Sequence, residues 1–600
     1  MNVLDKRSLG AGLGAAVLAC AVLPVVLPPY WVYLAISAAI SAVIMQSFGV
    51  IVGRAGVMSL CQMSFAAIGA WVVLRLNVAE APGGFYLWLI LGGLAAVPVG
   101  VAIGLPALRI RGVNLAVVTF GFAVSTDIVL NVNEFPGAKD LTMLDRPAPF
   151  DTDGGYFVFC VIVFTVLAVA LGMIGKTRLG LSWYELRHSE RSAAAHGISV
   201  ARSKLAAFAI SAFVAGIGGG LLVGQLSLVV PQNFAMGQSL ALFAVAVMIG
   251  PHHPEGAVLG GIFGAIMGTI MEKVSLPQDF GGVLFGVGAL LALRSGLSQT
   301  DLTRMRKREA GARKLLKAAE DKKTAEEQAA ADGATVDGKA ADGKSGTPAA
   351  PLVVPAAPRP AGDRTPLLTV TGMTVKFGEV VALDAVDLTV PEGGVVGLIG
   401  PNGAGKSTFI AAVSGFVGYQ GAVELAGRPL DRLSPNKRAT LGLRRTFQTT
   451  VIAPELTQYE YLTIGAGRRL TRAEADELLE FFGCPPGQVP VSIVDAGSRR
   501  LLDVAAAIAA RPKVALLDEP AAGQSAAESL ALGARLVAVP EAFGVSILLV
   551  EHDMELVQAV CEEVTVLDFG NVIASGPTGE VLEDPAVRAA YLGAADVPAS

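Results

Sequence analysis

Cysteine and histidine are too few and too scattered in this chain to build a framework. The five cysteines are Cys20, Cys61, Cys160, Cys484 and Cys561, and there are five histidines. No Cys-x-x-C pair occurs and no histidine partners a cysteine at metal-ligand spacing, which excludes a disulfide scaffold and a zinc site. Cys20, in Val17-Leu18-Ala19-Cys20, sits in a poor lipid-attachment box and reads as a helix residue. Charge is also scarce: 16% of residues are charged, against roughly 25% in a soluble average. A net charge of −5 leaves no basic surplus for nucleic acid. No small-x-small cleavage site follows the apolar run that begins after Lys6-Arg7 and reaches Pro28. That run reads as an uncleaved first span rather than a signal peptide. No short-period repeat is evident.

What is abundant is apolar sequence, 53% of the 600 residues, concentrated before residue 300. Such a length predicts several domains. Segments long enough to cross about 30 Å of hydrocarbon recur. Ten are expected: 9–28, 31–52, 56–76, 86–108, 112–131, 156–175, 204–225, 236–251, 256–272 and 280–294, the eighth and tenth being short. With Lys6-Arg7 inside, the inner loops carry Arg54, then Arg109 and Arg111, then Lys176, Arg178, Arg187, Arg191, Arg202 and Lys204. The opposite loop, 132–155, carries Glu134, Asp140, Asp145, Asp151 and Asp153. This asymmetry puts both ends of the membrane domain on the cytoplasmic side. Small residues such as Ala215-Gly216-Ile217-Gly218-Gly219-Gly220 read as close helix packing. Polar residues within spans are few: Gln46, Gln62, Ser64, Thr119, Ser125 and Asp127.

Residues 176–204 form the longest internal cytoplasmic connection. They read as a short amphipathic helix, a stop at Gly197 and a second start. This is either a solvated loop or a coupling helix. Residues 301–331 are a charged, alanine-rich helix candidate. The Gly- and Pro-rich stretch 332–363 cannot bury a core and reads as a tether. Three domains follow: 1–300 transmembrane, 301–365 helix and tether, and 366–600 with ordinary α/β composition.

Gly400-Pro401-Asn402-Gly403-Ala404-Gly405-Lys406-Ser407-Thr408 fits the phosphate-loop pattern G-x-x-x-x-G-K-[ST]. Its glycines let backbone N–H groups turn toward phosphate oxygens, Lys406 reaches the β and γ phosphates, and Ser407 suits Mg²⁺. Val395 to Ile399 precede it as a strand, and Phe409 to Val413 follow as a helix, the setting this loop requires. Joined to a membrane domain, it suggests energised transport. Four further stretches fit one machine. Phe377 precedes the loop, where an aromatic ring can stack on adenine. Gln448, in Arg445-Thr446-Phe447-Gln448, suits Mg²⁺ and attacking water. Asp518 and Glu519 end the apolar strand Val514 to Leu517; the first suits the metal and the second a general base. His552 follows a second apolar strand, Ile547 to Val550.

In this order and spacing, residues 366–600 resemble the ATP-binding subunit of ABC transporters of the branched-chain amino acid importer branch. Asp518-Glu519-Pro520-Ala521-Ala522-Gly523, Val564 to Gly570 and Ala590-Tyr591-Leu592-Gly593 carry the resemblance. Residues 1–300 resemble a permease subunit of the same system, on Leu108 to Ala116, Ala194 to Ile198 and Lys204 to Phe213. The resemblance implies an all-α polytopic membrane domain fused to an α/β P-loop ATPase that uses ATP and Mg²⁺, with His552 contacting the γ-phosphate. It implies ATP-driven import of branched-chain or other hydrophobic amino acids, with urea, short amides and small carboxylates left open. It implies a multi-pass protein of the cell inner or plasma membrane, with both termini and the ATPase cytoplasmic. The implied partners are lipid, a second permease, a second ATPase and an extracytoplasmic solute-binding protein, with no nucleic acid. An exporter half-unit fits less well, because ten spans with short loops differ from six with long cytoplasmic extensions. A membrane-tethered regulatory ATPase is the alternative of another class. One departure stands out. The family's signature, Leu-Ser-x-Gly-Gln, aligns with Val494-Asp495-Ala496-Gly497-Ser498, so a carboxylate replaces the serine that meets γ-phosphate on the opposite subunit. Asp495 is also a good helix N-cap. The partner ATPase is therefore expected to supply an intact signature.

Overall fold

The computed structural model describes residues 3–110, 112–139, 141–273, 286–291, 364–449 and 451–592, with positions 303, 306, 309–314 and 317 between them. The chain divides into two units, one of residues 1–187 and 200–306, the other of residues 188–199 and 307–600.

The first unit is built of helices: α1 (Val3–Val26), α2 (Pro29–Phe48), α3 (Gln62–Val78), α4 (Gly84–Gly104), α5 (Val113–Val132), α6 (Asp153–Gly175) and α7 (Arg178–His188). After α8 (Glu190–Ala195), which belongs to the second unit, come α9 (Val200–Leu226), α10 (Met236–Ile249) and α11 (Pro254–Lys273). Local chemistry sets several ends. Pro29 opens α2, where its missing N–H costs nothing. Thr152 caps α6 by accepting from the Gly155 N–H at 3.1 Å. The 27-residue α9 is largely buried and forms the middle of the unit. Its glycines set the spacing. A Cβ on Gly219 would lie 1.8 Å from the Ala66 carbonyl oxygen of α3, so only hydrogen permits that approach. Helices α5 and α6 expose Val117, Ile128, Val132, Val166 and Met173, the apolar surface expected of helices in lipid.

The expected ten spans are corrected. Among the described residues, six helical segments are long and apolar enough to cross a membrane: Pro29–Arg54, Gly84–Gly104, Val113–Val132, Asp153–Gly175, Val200–Leu226 and Pro231–Ile249. The expected spans 9–28, 56–76 and 256–272 fall on shorter apolar helices, Gly10–Val26, Gln62–Val78 and Pro254–Met267. Hydropathy runs through apolar residues whether or not they are helical. Val57, Met58 and Leu60 continue the apolar run, yet 56–61 is not helical and α3 starts only at Gln62. Its 17 residues reach about 25 Å. The tenth expected span lies outside the described residues except for 286–291, which are helical. The helix candidate 301–331, apart from isolated helical positions, and the tether 332–363 lie outside them too, as do Arg111 and Asp140.

The second unit carries two sheets. Strands β1 (Pro366–Phe377), β2 (Val380–Pro391), β4 (Gln420–Leu425) and β5 (Arg428–Pro429) form an antiparallel sheet ordered β2-β1-β4-β5. The other sheet is ordered β10-β9-β3-β8-β7-β6, from β3 (Val395–Ile399), β6 (Leu443–Arg445), β7 (Val514–Asp518), β8 (Ser546–Val550), β9 (Glu563–Asp568) and β10 (Asn571–Pro577). It is parallel except for the β9–β10 edge. Every residue of β3, β7 and β8 is buried, which explains their apolar runs Val395–Ile399, Val514–Leu517 and Ile547–Val550. The neighbours β3, β8 and β7 bring the phosphate loop, His552 and Asp518-Glu519 to one carboxyl edge, where open α/β sheets bind ligands.

Residues 188–199, part of the expected coupling segment, belong to this unit. Ser189 caps α8 through the Ser192 N–H, and Gly197 ends it at φ +79°. The Ala195 carbonyl accepts from Arg444 Nη1 at 3.1 Å, and the His196 ring meets Tyr461 edge-on at 5.5 Å. His188 Nε2 lies 3.6 Å from a Glu455 carboxylate oxygen.

Candidate nucleotide site

The phosphate loop leaves β3 and enters the helix Lys406–Val413, one turn earlier than the sequence pattern placed the helix. Gly403 and Gly405 have φ of +86° and +105°, values that favour glycine. A Cβ on Gly403 would touch nothing, so this loop position opens outward. Lys406 Nζ donates to the Gly400 and Pro401 carbonyls at 2.6 and 2.9 Å, curling the ammonium over its own loop. Burial lowers its pKa, opposed by Glu519 and Asp518. Asn402 and Ser407 are exposed, Ala404 is buried, and Thr408 is intermediate.

Asp518 ends β7 and is buried beside Arg445, whose Nη2 lies 3.1 Å from Oδ2. Burial pushes the Asp518 carboxyl above its ordinary range, with Arg445 opposing. The Arg445 guanidinium lies over the Phe447 ring, 4.7 Å from its centroid. Glu519 follows in a left-handed conformation, φ +47°, which is uncommon and strained for a residue with a side chain. Its N–H is held by the Val550 carbonyl at 2.9 Å, and its Oε2 accepts from Gln448 Nε2 at 2.8 Å. The structure thus brings together Lys406, Gln448, Asp518 and Glu519. His552 stands apart. Its side chain is 62% exposed, and Nδ1 is 3.6 Å from Glu551 rather than from Glu519. Phe377, at the end of β1, is half exposed.

Asp495 caps the helix Ala496–Ala509, its Oδ1 accepting from the Ser498 N–H at 2.8 Å. Burial raises its pKa, but the hydrogen bonds from the Ser498 and Gly497 N–H groups outweigh this, and the carboxyl ionises below its ordinary range. The carboxylate therefore occupies the N–H groups at its own helix start. Val494 is buried and Gly497 and Ser498 lie in the helix's first turn.

Three residues of the site were missed in the sequence. Arg445 stands in the sequence only as a near neighbour of Gln448. Buried Glu551 accepts from the Ala521 N–H at 2.9 Å, tying the loop after Pro520 to the end of β8. Arg500 donates to the Ala522 carbonyl at 2.9 Å and also to that of Gln448, joining two loops of the site. An ion directly after a buried apolar strand is the signal that marks Glu551.

A phosphate loop and acid pair at the carboxyl edge of this sheet, in a chain whose other unit is a bundle of apolar helices, define an ATP-driven membrane transporter. Residues 383–522 match the ABC transporter family, residues 11–293 the permease component of the branched-chain amino acid transport system, and residues 571–597 the branched-chain amino acid ATP-binding cassette transporter family. The high-affinity branched-chain amino acid transport ATP-binding protein BraF of Pseudomonas aeruginosa is 33% identical over 254 residues, 38% of this chain and 99% of that protein. LivG of Escherichia coli, of the same description, is 32% identical over 254 residues, with the same shares of the two chains. A solved ATP-binding cassette in its ADP conformation is 27% identical over 38% of this chain and 99% of its own, with a TM-score of 0.36. The chain belongs to the branched-chain amino acid ABC transporter family and fuses its permease and ATP-binding components. It binds ATP and couples ATP hydrolysis to transport.

Proposed function

We propose that this chain is the fused permease–ATPase subunit of an importer of branched-chain amino acids. The observation that carries this is the joining, in one chain, of a match to the branched-chain amino acid permease component with a near-full-length likeness to BraF and LivG. Its place is the cell inner or plasma membrane, with both termini and the ATPase unit cytoplasmic. Lys176, Arg178, Arg187, Arg191, Arg202 and Lys204, against Glu134, Asp145, Asp151 and Asp153 on the opposite side, support that orientation. A second permease, a second ATPase and an extracytoplasmic solute-binding protein complete the assembly.

The residues present fit ATP with Mg²⁺. The loop's glycine turns and Lys406 suit phosphate, Phe377 offers a half-exposed ring for adenine, and the Ser407 hydroxyl, Gln448 amide and Asp518 carboxylate are the hard oxygen donors that Mg²⁺ prefers. When bound, the ion neutralises phosphate charge. Arg445 holds Asp518 in place. Glu519 accepts the proton of the attacking water, and the Gln448 amide keeps its carboxylate aimed. His552, exposed beside Glu551, is free to meet the γ-phosphate side of the site. Because Asp495 replaces the signature serine and caps its own helix, the site completed by Val494 to Ser498 is the weaker one. The site using Lys406, Asp518, Glu519 and His552 borrows the partner's intact signature. The 188–199 segment, held by Arg444 and Tyr461, passes closure of the ATPase pair to the membrane unit. The test is competition against labelled leucine uptake in liposomes holding the complete complex. Isoleucine and valine should compete. Displacement by urea, short amides or small carboxylates, with none by isoleucine or valine, would refute the substrate.

A further inference from the structure

The membrane unit contains an interruption that hydrocarbon does not tolerate uncovered. Between the π-helical segment Gly49–Arg54 and α3, residues 56–61 are not helical. Irregular backbone at membrane depth survives where protein buries it or where it lines a route for solute. Here it is met by side chains from three helices, and a fourth, α9, bonds to one of those side chains. The Leu60 N–H donates to Thr119 Oγ1 of α5 at 3.1 Å, and the Leu60 carbonyl accepts from Ser239 Oγ of α10 at 2.6 Å. Gln62, the first residue of α3, donates to Ser59 Oγ at 3.2 Å and accepts from Ser211 Oγ of α9 at 3.1 Å. Ser59, Gln62, Thr119 and Ser211 are 0% exposed and Ser239 is 1% exposed.

The cluster lies well inside the bundle. From Val200, where α9 begins, to Ser211 is about 16 Å along the helix axis. The 17-residue α3, one of the shorter apolar helices, begins directly after this break, and the Leu60–Ser239 bond ties the break to α10. Discontinuous helices meeting at depth are where transporters carry solute. The polar groups are all neutral, one amide and four hydroxyls. Such groups can exchange hydrogen bonds with the ammonium and carboxylate of a small zwitterion without trapping it, as conduction requires.

We propose that Ser59, Gln62, Thr119, Ser211 and Ser239 line the route of a small zwitterionic solute through the membrane unit. This rests on the transport reading given above. The neighbouring Cys61, 0% exposed with its sulfur 3.4 Å from Ser59 Oγ, is a native reporter of that route. The test uses the full-length chain with Cys20, Cys160, Cys484 and Cys561 replaced, in liposomes with its co-purifying subunits. A small cationic methanethiosulfonate reagent should modify Cys61 during ATP turnover, and excess leucine should slow the modification at least about fivefold. Thr119→Val should raise the KM for leucine uptake more than it lowers kcat, and Thr119→Ser should restore it. A merely structural cap would give no protection by leucine. Leucine uptake with Cys61 inert, or modified at a rate leucine does not change, overturns the proposal. Modification during turnover without uptake of any branched-chain amino acid refutes the substrate instead, and leaves the route supported.

Discussion

Replacing Asp495 by serine separates two jobs that one carboxylate performs. The first is capping: its Oδ1 accepts from the Ser498 N–H at 2.8 Å and starts the helix Ala496–Ala509. Serine caps about as well as aspartate, so Asp495→Ser should change stability by only a few tenths of a kcal/mol, whereas Asp495→Ala should cost about 1 kcal/mol. The second is charge. The carboxyl ionises below its ordinary range, so it stays negative at neutral pH. Facing a nucleotide phosphate on the partner ATPase, at an effective dielectric of about 20, it should weaken that site by about 1–3 kcal/mol, roughly five- to 150-fold in affinity. The assay is nucleotide occupancy of each ATPase chain in the intact complex, read by native mass spectrometry in a Glu519→Gln background. Across a nucleotide titration, Asp495→Ser should lower the dissociation constant at the partner's phosphate loop by that factor and leave thermal stability unchanged. Identical occupancy in the parent and Asp495→Ser proteins would refute the argument that the two sites are unequal.

Glu519→Gln should keep ATP binding and slow single-turnover hydrolysis at least about a hundredfold; unchanged hydrolysis would remove Glu519 from the role of base. Arg445→Met leaves Asp518 buried without its partner, which should cost about 3–5 kcal/mol in the ATP-binding unit. Adding Asp518→Asn should recover much of that in a double-mutant cycle of thermal unfolding, and strictly additive losses would show that the pair is uncoupled. Cleavage at a protease site inserted within residues 332–363, after assembly, should leave uptake largely intact. Loss of uptake with the complex still assembled would show that this stretch does more than tether.

The nucleotide site was legible because its parts sit at strand ends that the sequence marks. β3, β7 and β8 carry the apolar runs Val395–Ile399, Val514–Leu517 and Ile547–Val550, each followed at once by glycine or by an ion. The carboxyl edge of a parallel sheet then gathers residues far apart in the chain. Partnerships across that edge were not legible. Arg445 and Asp518 are 73 residues apart, and nothing local in either segment announces their pairing. The same holds for Glu551 and Ala521. In the membrane unit, composition shows that a segment is apolar but not where a helix starts. Residues 56–61 are apolar enough to belong to a span, yet they are not helical, and the Leu60 N–H and carbonyl bond to the side chains of Thr119 and Ser239. The expected span 56–76 differs from the structure at this position.

The central claim is that hydrolysis at Glu519 drives amino acid import through the same chain. The measurement that tests it most directly is ATP-dependent uptake of labelled leucine into liposomes holding the complete complex and its solute-binding protein, compared with Glu519→Gln. The account predicts concentrative uptake that requires ATP and falls at least about a hundredfold in the variant, in step with hydrolysis. Sustained ATP hydrolysis with no uptake of leucine, isoleucine or valine, or uptake that Glu519→Gln leaves intact, would contradict it.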